Sequence, residues 1–311
     1  MNMSLYSIVV PVYNSEQTIM MLYEQILDVF SNTIKKDFEL ILIDDSSKDN
    51  SFGVMEKLHK QDSRVRIIQL SSNFGQHCAL MCGFMAAVGD FVITMDDDLQ
   101  HPPDEIPKLV RELDSHDDLD VVIGTYESKK HNFIRKMGTA LNKKLASLAY
   151  SKRINANLTS FRIMRIYIAK AISNMCVTSP RIGYLIFDTT NRIGYTSVKH
   201  NERLYGKSGY TFKRLINISL TNLYTNSVFP LIVVRNIGFF VSLGSVLGAI
   251  YYLIRYFYIG ITIQGWTTLV LIIIFFSGLI LFSLGIIGEY LMRIFLEAKK
   301  KPNYIIRREH R

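Results

Sequence analysis

The sequence predicts an α/β domain built on a mostly parallel sheet, followed by an amphipathic interfacial helix and two transmembrane helices. Three observations carry that prediction. Short continuous apolar runs alternate with helix-length segments through about residue 125, the pattern of strands covered on both faces. Two uncharged apolar stretches near the C-terminus each approach the roughly 20 residues that cross a bilayer. Hydrophobic residues make up 49% of the 311, and the excess over a soluble composition is concentrated after about residue 228.

The elements follow in order. LYSIVVPV (5–12) is a short, β-branched strand, and a helix with Ser15 placed as its N-cap runs to Phe30. FELILIDD (38–45) is a second strand ending in two carboxylates. A loop, SSKDNS, leads to a helix ending at Gln61, then the strand VRIIQLS (65–71) and a helix from Gln76 to Val88. DFVITMD (90–96) is a fourth strand that also ends in carboxylates, and helix 104–115 leads to the strand DVVIGT (120–125). Residues 131–176 are expected to be mostly helical and include the basic stretch KKHNFIRKMGTALNKK. YTSVKH is a short strand before NERLYGKSGYTFKR.

The segment 211–227 mixes Phe212, Leu215, Ile216 and Leu220 with Lys213 and Arg214, which suits a helix lying on a membrane surface. The two spans are Ile237–Ile254 and Trp266–Gly288. Lys213, Arg214 and Arg235 flank one side; Arg293, Lys299, Lys300, Lys301, Arg307 and Arg308 flank the other. The positive-inside rule then puts both ends in the cytoplasm, as for an integral protein of a bacterial inner membrane. Glu289, where the second span ends, is placed to pair with Arg293 one turn on. The expected organisation is a catalytic domain at 1–210, a juxtamembrane helix at 211–229, a transmembrane hairpin at 230–295 and a basic cytoplasmic tail at 296–311. The start has no basic region or long apolar core, and Pro11 interrupts its apolar run, so no secretory signal is expected.

The formal charge of +9 fits nucleic acid, an anionic membrane or phosphorylated substrates. Much of the basic excess flanks apolar segments, and no interleaved aromatic platform supports nucleic acid. Three cysteines provide neither a disulfide framework nor a zinc spacing. The first strand is followed by YNSEQT rather than a glycine-rich turn, which argues against a nicotinamide dehydrogenase.

Chemistry concentrates at two acidic strand ends, Asp44–Asp45 and Asp96–Asp98. In parallel sheets ligands bind beyond the carboxyl ends of the strands. Three adjacent carboxylates raise one another's cost of ionisation, so a cation is expected among them. Mg²⁺ and Mn²⁺ prefer such oxygen ligands. Alternate residues of an extended segment share a face, which would aim Asp96 and Asp98 at one ion with the Gln100 amide behind them. Pro102 and Pro103 stiffen the exit.

PVYN, LILIDDSSKDNS and LSSNFGQHCALMCGFMAAVGDFVITMDDDLQHPPDEIP together resemble the family 2 glycosyltransferases of GT-A fold. More narrowly the chain is similar to polyprenyl-phosphate sugar transferases, including dolichyl-phosphate mannose synthases and bacterial undecaprenyl-phosphate enzymes. The similarity continues through NERLYGKSGYTFKRLINISL and IGEYLMRIFLEAKKKPNY. It implies a nucleotide-sugar donor, a polyprenyl-phosphate acceptor, a divalent ion and a homo-oligomer, tetramers occurring in the family. Pro11, Tyr13 and Asp44 match positions that hold the base and ribose, with Asp45, Asp97, Lys207 and Ser208 in the same donor site. Asp96, Asp98 and Gln100 match a D-x-D-x-Q metal site, and Arg203 matches a residue that neutralises the donor diphosphate. Arg135 and Thr139 match holders of the acceptor phosphate, and Arg162 belongs to the F-R element beside it.

The chain departs from the family pattern in four places. Ser15 replaces an acid after PVYN, and Tyr126 and Glu127 stand near an expected arginine. Gly209 replaces a lysine, with Lys207 two places earlier. Asn157 and Ser160 stand where acids precede F-R. A lipid phosphate, with a second pKa of about 6, needs placement more than deprotonation. A sugar hydroxyl would need a base, with Asp97 and Asp188 as candidates. An inactive membrane-tethered binding subunit is the third reading.

Overall fold

The computed structural model describes residues 4–126, 158–175, 177, 180–199, 201, 236, 240, 247, 250, 254, 258, 265–298 and 302–310. The chain divides into two compact units. One comprises Met1–Lys130, Asn155–Ser208 and Lys300–Arg311; the other comprises His131–Ile154 and Gly209–Lys299.

The first unit is an eight-stranded sheet. Its strands are β1 (Tyr6–Val12), β2 (Phe38–Asp44), β3 (Val65–Leu70), β4 (Phe91–Thr94), β5 (Val121–Tyr126), β6 (Leu158–Arg165), β7 (Ile193–Val198) and β8 (Ile306–His310). They lie in the order β7-β5-β6-β4-β1-β2-β3-β8. β1 pairs in parallel with β2 and β4, β2 with β3, and β5 with β7. β6 runs antiparallel between β4 and β5, and β8 runs antiparallel to β3.

All seven residues of β1 and of β2 are buried, as a central parallel strand requires. One face packs on α1 (Ile19–Asp28), α2 (Ser51–Gln61) and α4 (Ile106–Asp114), through residues such as Ile8, Leu22, Leu58 and Leu109. The other packs on α3 (Gln76–Ala86), α5 (Ile166–Ser173) and α6 (Ile182–Thr189), through Val9, Ile43, Leu80, Ile168 and Ile186. Gly83 lets α3 lie close: a Cβ there would stand 2.3 Å from Val9 Cγ1. That contact brings the N-terminal turn of α3 to the carboxyl ends of β1 and β2.

Four expectations change. Ser15 does not cap α1, which begins at Ile19 after Thr18; its hydroxyl is drawn to Asp97 instead. α1 passes into a π-helical segment, Val29–Ile34, closed by left-handed Lys35. Within the stretch expected to be mostly helical, Leu158–Arg165 is a strand, because pairing on both sides with β4 and β5 outweighs local preference. The expected basic tail carries β8, which covers the edge of β3; Arg66 meets Glu309 at 3.4 Å and Ser71 N–H donates to Ile305 O at 2.8 Å.

The described part of the second unit is mainly α7, Trp266–Ala298, 33 residues long. Among the described residues no helix is long and apolar enough to cross a membrane. The α7 backbone is continuous, and Trp266–Gly288 holds no Asp, Glu, Lys or Arg in sequence. The juxtamembrane helix 211–227 lies outside the described residues, as does the span 237–254 apart from isolated positions.

Candidate active site

The exits of β1, β2 and β4 converge on one rim, and at each the backbone turns through a left-handed residue that is not glycine. These are Asn14 (φ 55), Ser46 (φ 60) and Leu99 (φ 58). Such conformations are costly for side-chain-bearing residues and cluster where the surroundings hold a site in shape. Here hydrogen bonds do so. Asn14 N–H donates to Ser47 Oγ at 3.0 Å, and Lys48 N–H donates to Asn14 Oδ1 at 2.8 Å.

A cavity of about 240 Å³ opens at this rim, lined by Pro11, Val12, Tyr13, Asp45, Asn73, Gly75, Gln76, Asp96, Asp97 and Asp98. Four of these are aspartates, and none of the described lining residues is Lys or Arg. Tyr13 is 43% exposed, a ring available for stacking.

The carboxylates have different tasks. Asp44 is fully buried and outside the lining; Ser47 N–H donates to its Oδ1 at 3.0 Å and Gln69 Nε2 to its Oδ2 at 3.1 Å. Asp45 accepts Phe74 N–H at 2.7 Å and Gly75 N–H at 2.8 Å, which pins the turn from β3 into α3. Gly75 takes φ 89 there, open to glycine without cost. Burial raises the pKa of Asp45; the two N–H donors oppose the rise, and Asp44 adds to it.

Asp97 Oδ2 accepts Ser15 O–H at 2.5 Å and Tyr13 N–H at 3.1 Å, tying the β4 exit to that of β1. Burial pushes its carboxyl up to about 6; the two donors oppose that, and neighbouring Asp96 and Asp98 reinforce it. Asp96 accepts Gln76 Nε2 at 2.6 Å on Oδ1 and Ser160 O–H at 2.6 Å on Oδ2. Asp98 Oδ1 accepts Gln100 N–H at 3.1 Å.

The alternation expected to align Asp96, Asp98 and Gln100 does not describe this segment, because β4 ends at Thr94 and Leu99 turns the chain. Asp96 and Asp98 reach the cavity all the same, whereas Gln100 is absent from its described lining. Arg162 is 5% exposed, and its Nε and Nη2 donate to Ser160 O and Thr159 O at 3.2 and 3.1 Å. Burial lowers its pKa to about 10, against the pull of Asp96. Arg135, Thr139, Arg203, Lys207 and Ser208 lie outside the described residues.

Sequence reasoning did not single out Asn73, Gly75 and Gln76. The signal was present: a glycine directly before a helix that follows a parallel strand marks a helix N-terminus at the ligand rim. The residues also fit a divalent ion. Among the described residues no three His, Cys, Asp or Glu groups form a metal cage, but Mg²⁺ commonly uses one or two carboxylates with substrate phosphates and water. Asp96 and Asp98 on one cavity wall are such a pair of oxygen donors.

Residues 7–173 match glycosyl transferase family 2. An uncharacterised glycosyltransferase of Bacillus subtilis (strain 168) is 31% identical, covering 98% of this chain and 94% of its own. An undecaprenyl-phosphate 4-deoxy-4-formamido-L-arabinose transferase of Proteus mirabilis (strain HI4320) is 32% identical, covering 97% and 93%. Glucosyl-3-phosphoglycerate synthase of Mycobacterium tuberculosis, solved with Mn²⁺, uridine diphosphate and phosphoglyceric acid, shares the fold. Its TM-score is 0.51 at 18% identity, over 72% of this chain and 77% of that one. The catalytic unit is thus of the GT-A type, and the chain belongs to glycosyl transferase family 2.

Proposed function

We propose that the protein is a membrane-anchored, inverting glycosyltransferase that moves a sugar from a nucleotide-sugar to polyprenyl phosphate with the help of Mg²⁺ or Mn²⁺. One observation carries the reading: a cavity walled by Asp45, Asp96, Asp97 and Asp98, with no basic residue in its described lining. A donor diphosphate is repelled by such a wall unless a cation comes with it. The bound ion supplies charge neutralisation of the leaving diphosphate.

The chain's own groups do the rest. Asp96 and Asp98 present the oxygens that would hold the ion. Tyr13 offers its ring to the base. Gln76 and Ser160 fix the carboxylate of Asp96, and preorganisation of this kind lowers the barrier because nothing has to reorient during reaction.

The acceptor reading draws on relatives named undecaprenyl-phosphate 4-deoxy-4-formamido-L-arabinose transferase, at 32–33% identity over nearly the whole chain.

Anchoring draws on α7. At 1.5 Å per residue it is about 50 Å long, and Leu269, Ile273, Ile280, Leu284, Ile287 and Leu291 are exposed along it. Lipid would cover such a surface. With basic residues beyond both spans, the two termini and the catalytic unit lie in the cytoplasm.

The test is transfer of radiolabelled sugar, from a panel of nucleotide-sugars, to bare polyprenyl phosphate by the purified full chain. An acid-labile lipid phosphosugar is expected. Product formed only on lipid-linked glycans would sink the phosphate reading.

A further inference from the structure

The exits of β1 and β4 are cross-linked, and one carboxylate oxygen makes both links. Asp97 Oδ2 accepts from the Ser15 hydroxyl at 2.5 Å and from Tyr13 N–H at 3.1 Å. Ser15 is itself held on both sides. Its N–H donates to Ser51 Oγ at 2.8 Å, and its carbonyl accepts Thr18 N–H at 3.0 Å ahead of α1. Ser51, fully buried as the first residue of α2, passes its own hydroxyl proton to Asp49 Oδ1 at 2.6 Å. Asp49 Oδ2 accepts Glu16 N–H at 3.2 Å, and Glu16 Oε2 accepts Asn50 N–H at 2.9 Å. The Ser15 hydroxyl thus reaches Asp97 from a backbone fastened to α1 and α2.

The acidic segment is stretched between two anchors. Asp96 is tied to α3 by Gln76 and to β6 by Ser160, whereas Asp97 is tied to the β1 exit. Beyond them the chain turns at left-handed Leu99, φ 58, a conformation that its surroundings must hold. Three consecutive carboxylates repel one another. Fixing the middle one to the β1 exit limits how it can crowd its neighbours, although all three border the cavity. With that link gone, Asp96 and Asp98 keep their charge but lose one of the constraints that set their direction.

We propose that Ser15 is a positioning residue for the divalent ion: acting through Asp97, it keeps the Asp96 and Asp98 oxygens turned to the cavity. Ser15 is outside the described lining of that cavity, so its effect passes through another side chain. The hydrogen bond is of the charge-assisted kind, hydroxyl to carboxylate, which is stronger than a neutral one. It also joins the loop that carries the Tyr13 ring to the loop that carries the ion's carboxylates. The inference rests on the ion-assisted reading above.

The test measures Mn²⁺ binding to the full chain in detergent by electron paramagnetic resonance, which reads the free ion and needs no turnover. Uridine, cytidine, adenosine and guanosine diphosphates are compared first, and the tightest is then kept at saturation. Ser15→Ala is expected to weaken Mn²⁺ binding roughly tenfold, the size of a lost charge-assisted hydrogen bond. Ser15→Thr, which keeps the hydroxyl, should stay within about twofold of wild type, and Ser15→Cys, a weak donor, should fall between. Lys57→Ala, an exposed charge on α2, should change nothing. Binding of the corresponding free nucleoside, followed by ligand NMR, should stay within about twofold in Ser15→Ala. Unshifted Mn²⁺ affinity in Ser15→Ala overturns the proposal, as does an equal loss in Ser15→Thr. A loss of nucleoside binding as large as that of Mn²⁺ also overturns it, marking a residue that only shapes the Tyr13 loop. Should Ser15→Ala lose its fold by thermal melting, Ser15→Cys carries the comparison. A wild type that binds no Mn²⁺ defeats the ion-assisted reading and this inference with it; wild-type binding with unshifted variants defeats this inference alone.

Discussion

The aspartates after β2 and those after β4 look alike in sequence, and the structure uses them in opposite ways. Asp44 and Asp45 are nearly completely buried, and their oxygens accept from Ser47, Gln69, Phe74 and Gly75. They hold the loops together, although Asp45 also borders the cavity. Asp96 and Asp98 line the cavity from a segment tethered by Gln76, Ser160, Ser15 and Tyr13 through Asp96 and Asp97. A pair of carboxylates at a strand end thus marks the functional rim but does not say which group builds it and which meets the ligand.

Substitutions sharpen that contrast. The largest effect is expected at Asp98: Asp98→Ala should lower kcat/KM by on the order of 10³-fold or more with an unchanged melting temperature. Chelating divalent ions should have a comparable effect in the wild type. Normal turnover in either case would break the assignment of the β4 carboxylates to the ion. Asp45→Ala should act the other way, costing about 1–3 kcal/mol of stability by removing the acceptor of two part-buried N–H groups. Denaturant unfolding checks this, and a folded but inactive Asp45→Ala would move Asp45 into the catalytic group.

Ser160→Ala is expected to lower kcat roughly tenfold while stability barely changes, because it removes one donor to Asp96 without emptying the core. An unchanged kcat would show that the Asp96 carboxylate is oriented without Ser160. The smallest effect belongs to Asp62, outside the rim, whose pKa the Arg64 guanidinium holds down at about 2. Since the folded-state pKa is depressed, the pair's stabilisation is complete above the unfolded carboxylate value and is lost as pH falls toward 2. Arg64 is 45% exposed, so Asp62→Asn should cost below about 1 kcal/mol at neutral pH. Acid titration of unfolding should show the variant's deficit vanishing toward pH 2.

The first four strands and the helices between them were legible because apolar runs and their spacing are local properties. The position of Asp96 and Asp98 was legible for the same reason. β6 was hidden although LTSFRIMR alternates, because its pairing partners β4 and β5 lie well before it in the chain. β8 was hidden more completely: IRREH is charged and exposed, and only the open edge of β3, more than two hundred residues earlier, makes it a strand.

By itself, then, the amino-acid order determined the alternating α/β layering, the acidic rim and the two uncharged apolar stretches, because periodicity and charge act over a few residues. The tertiary structure decided which carboxylates became scaffold and which faced the cavity. Those outcomes depend on burial and strand pairing between distant segments, which local pattern does not encode.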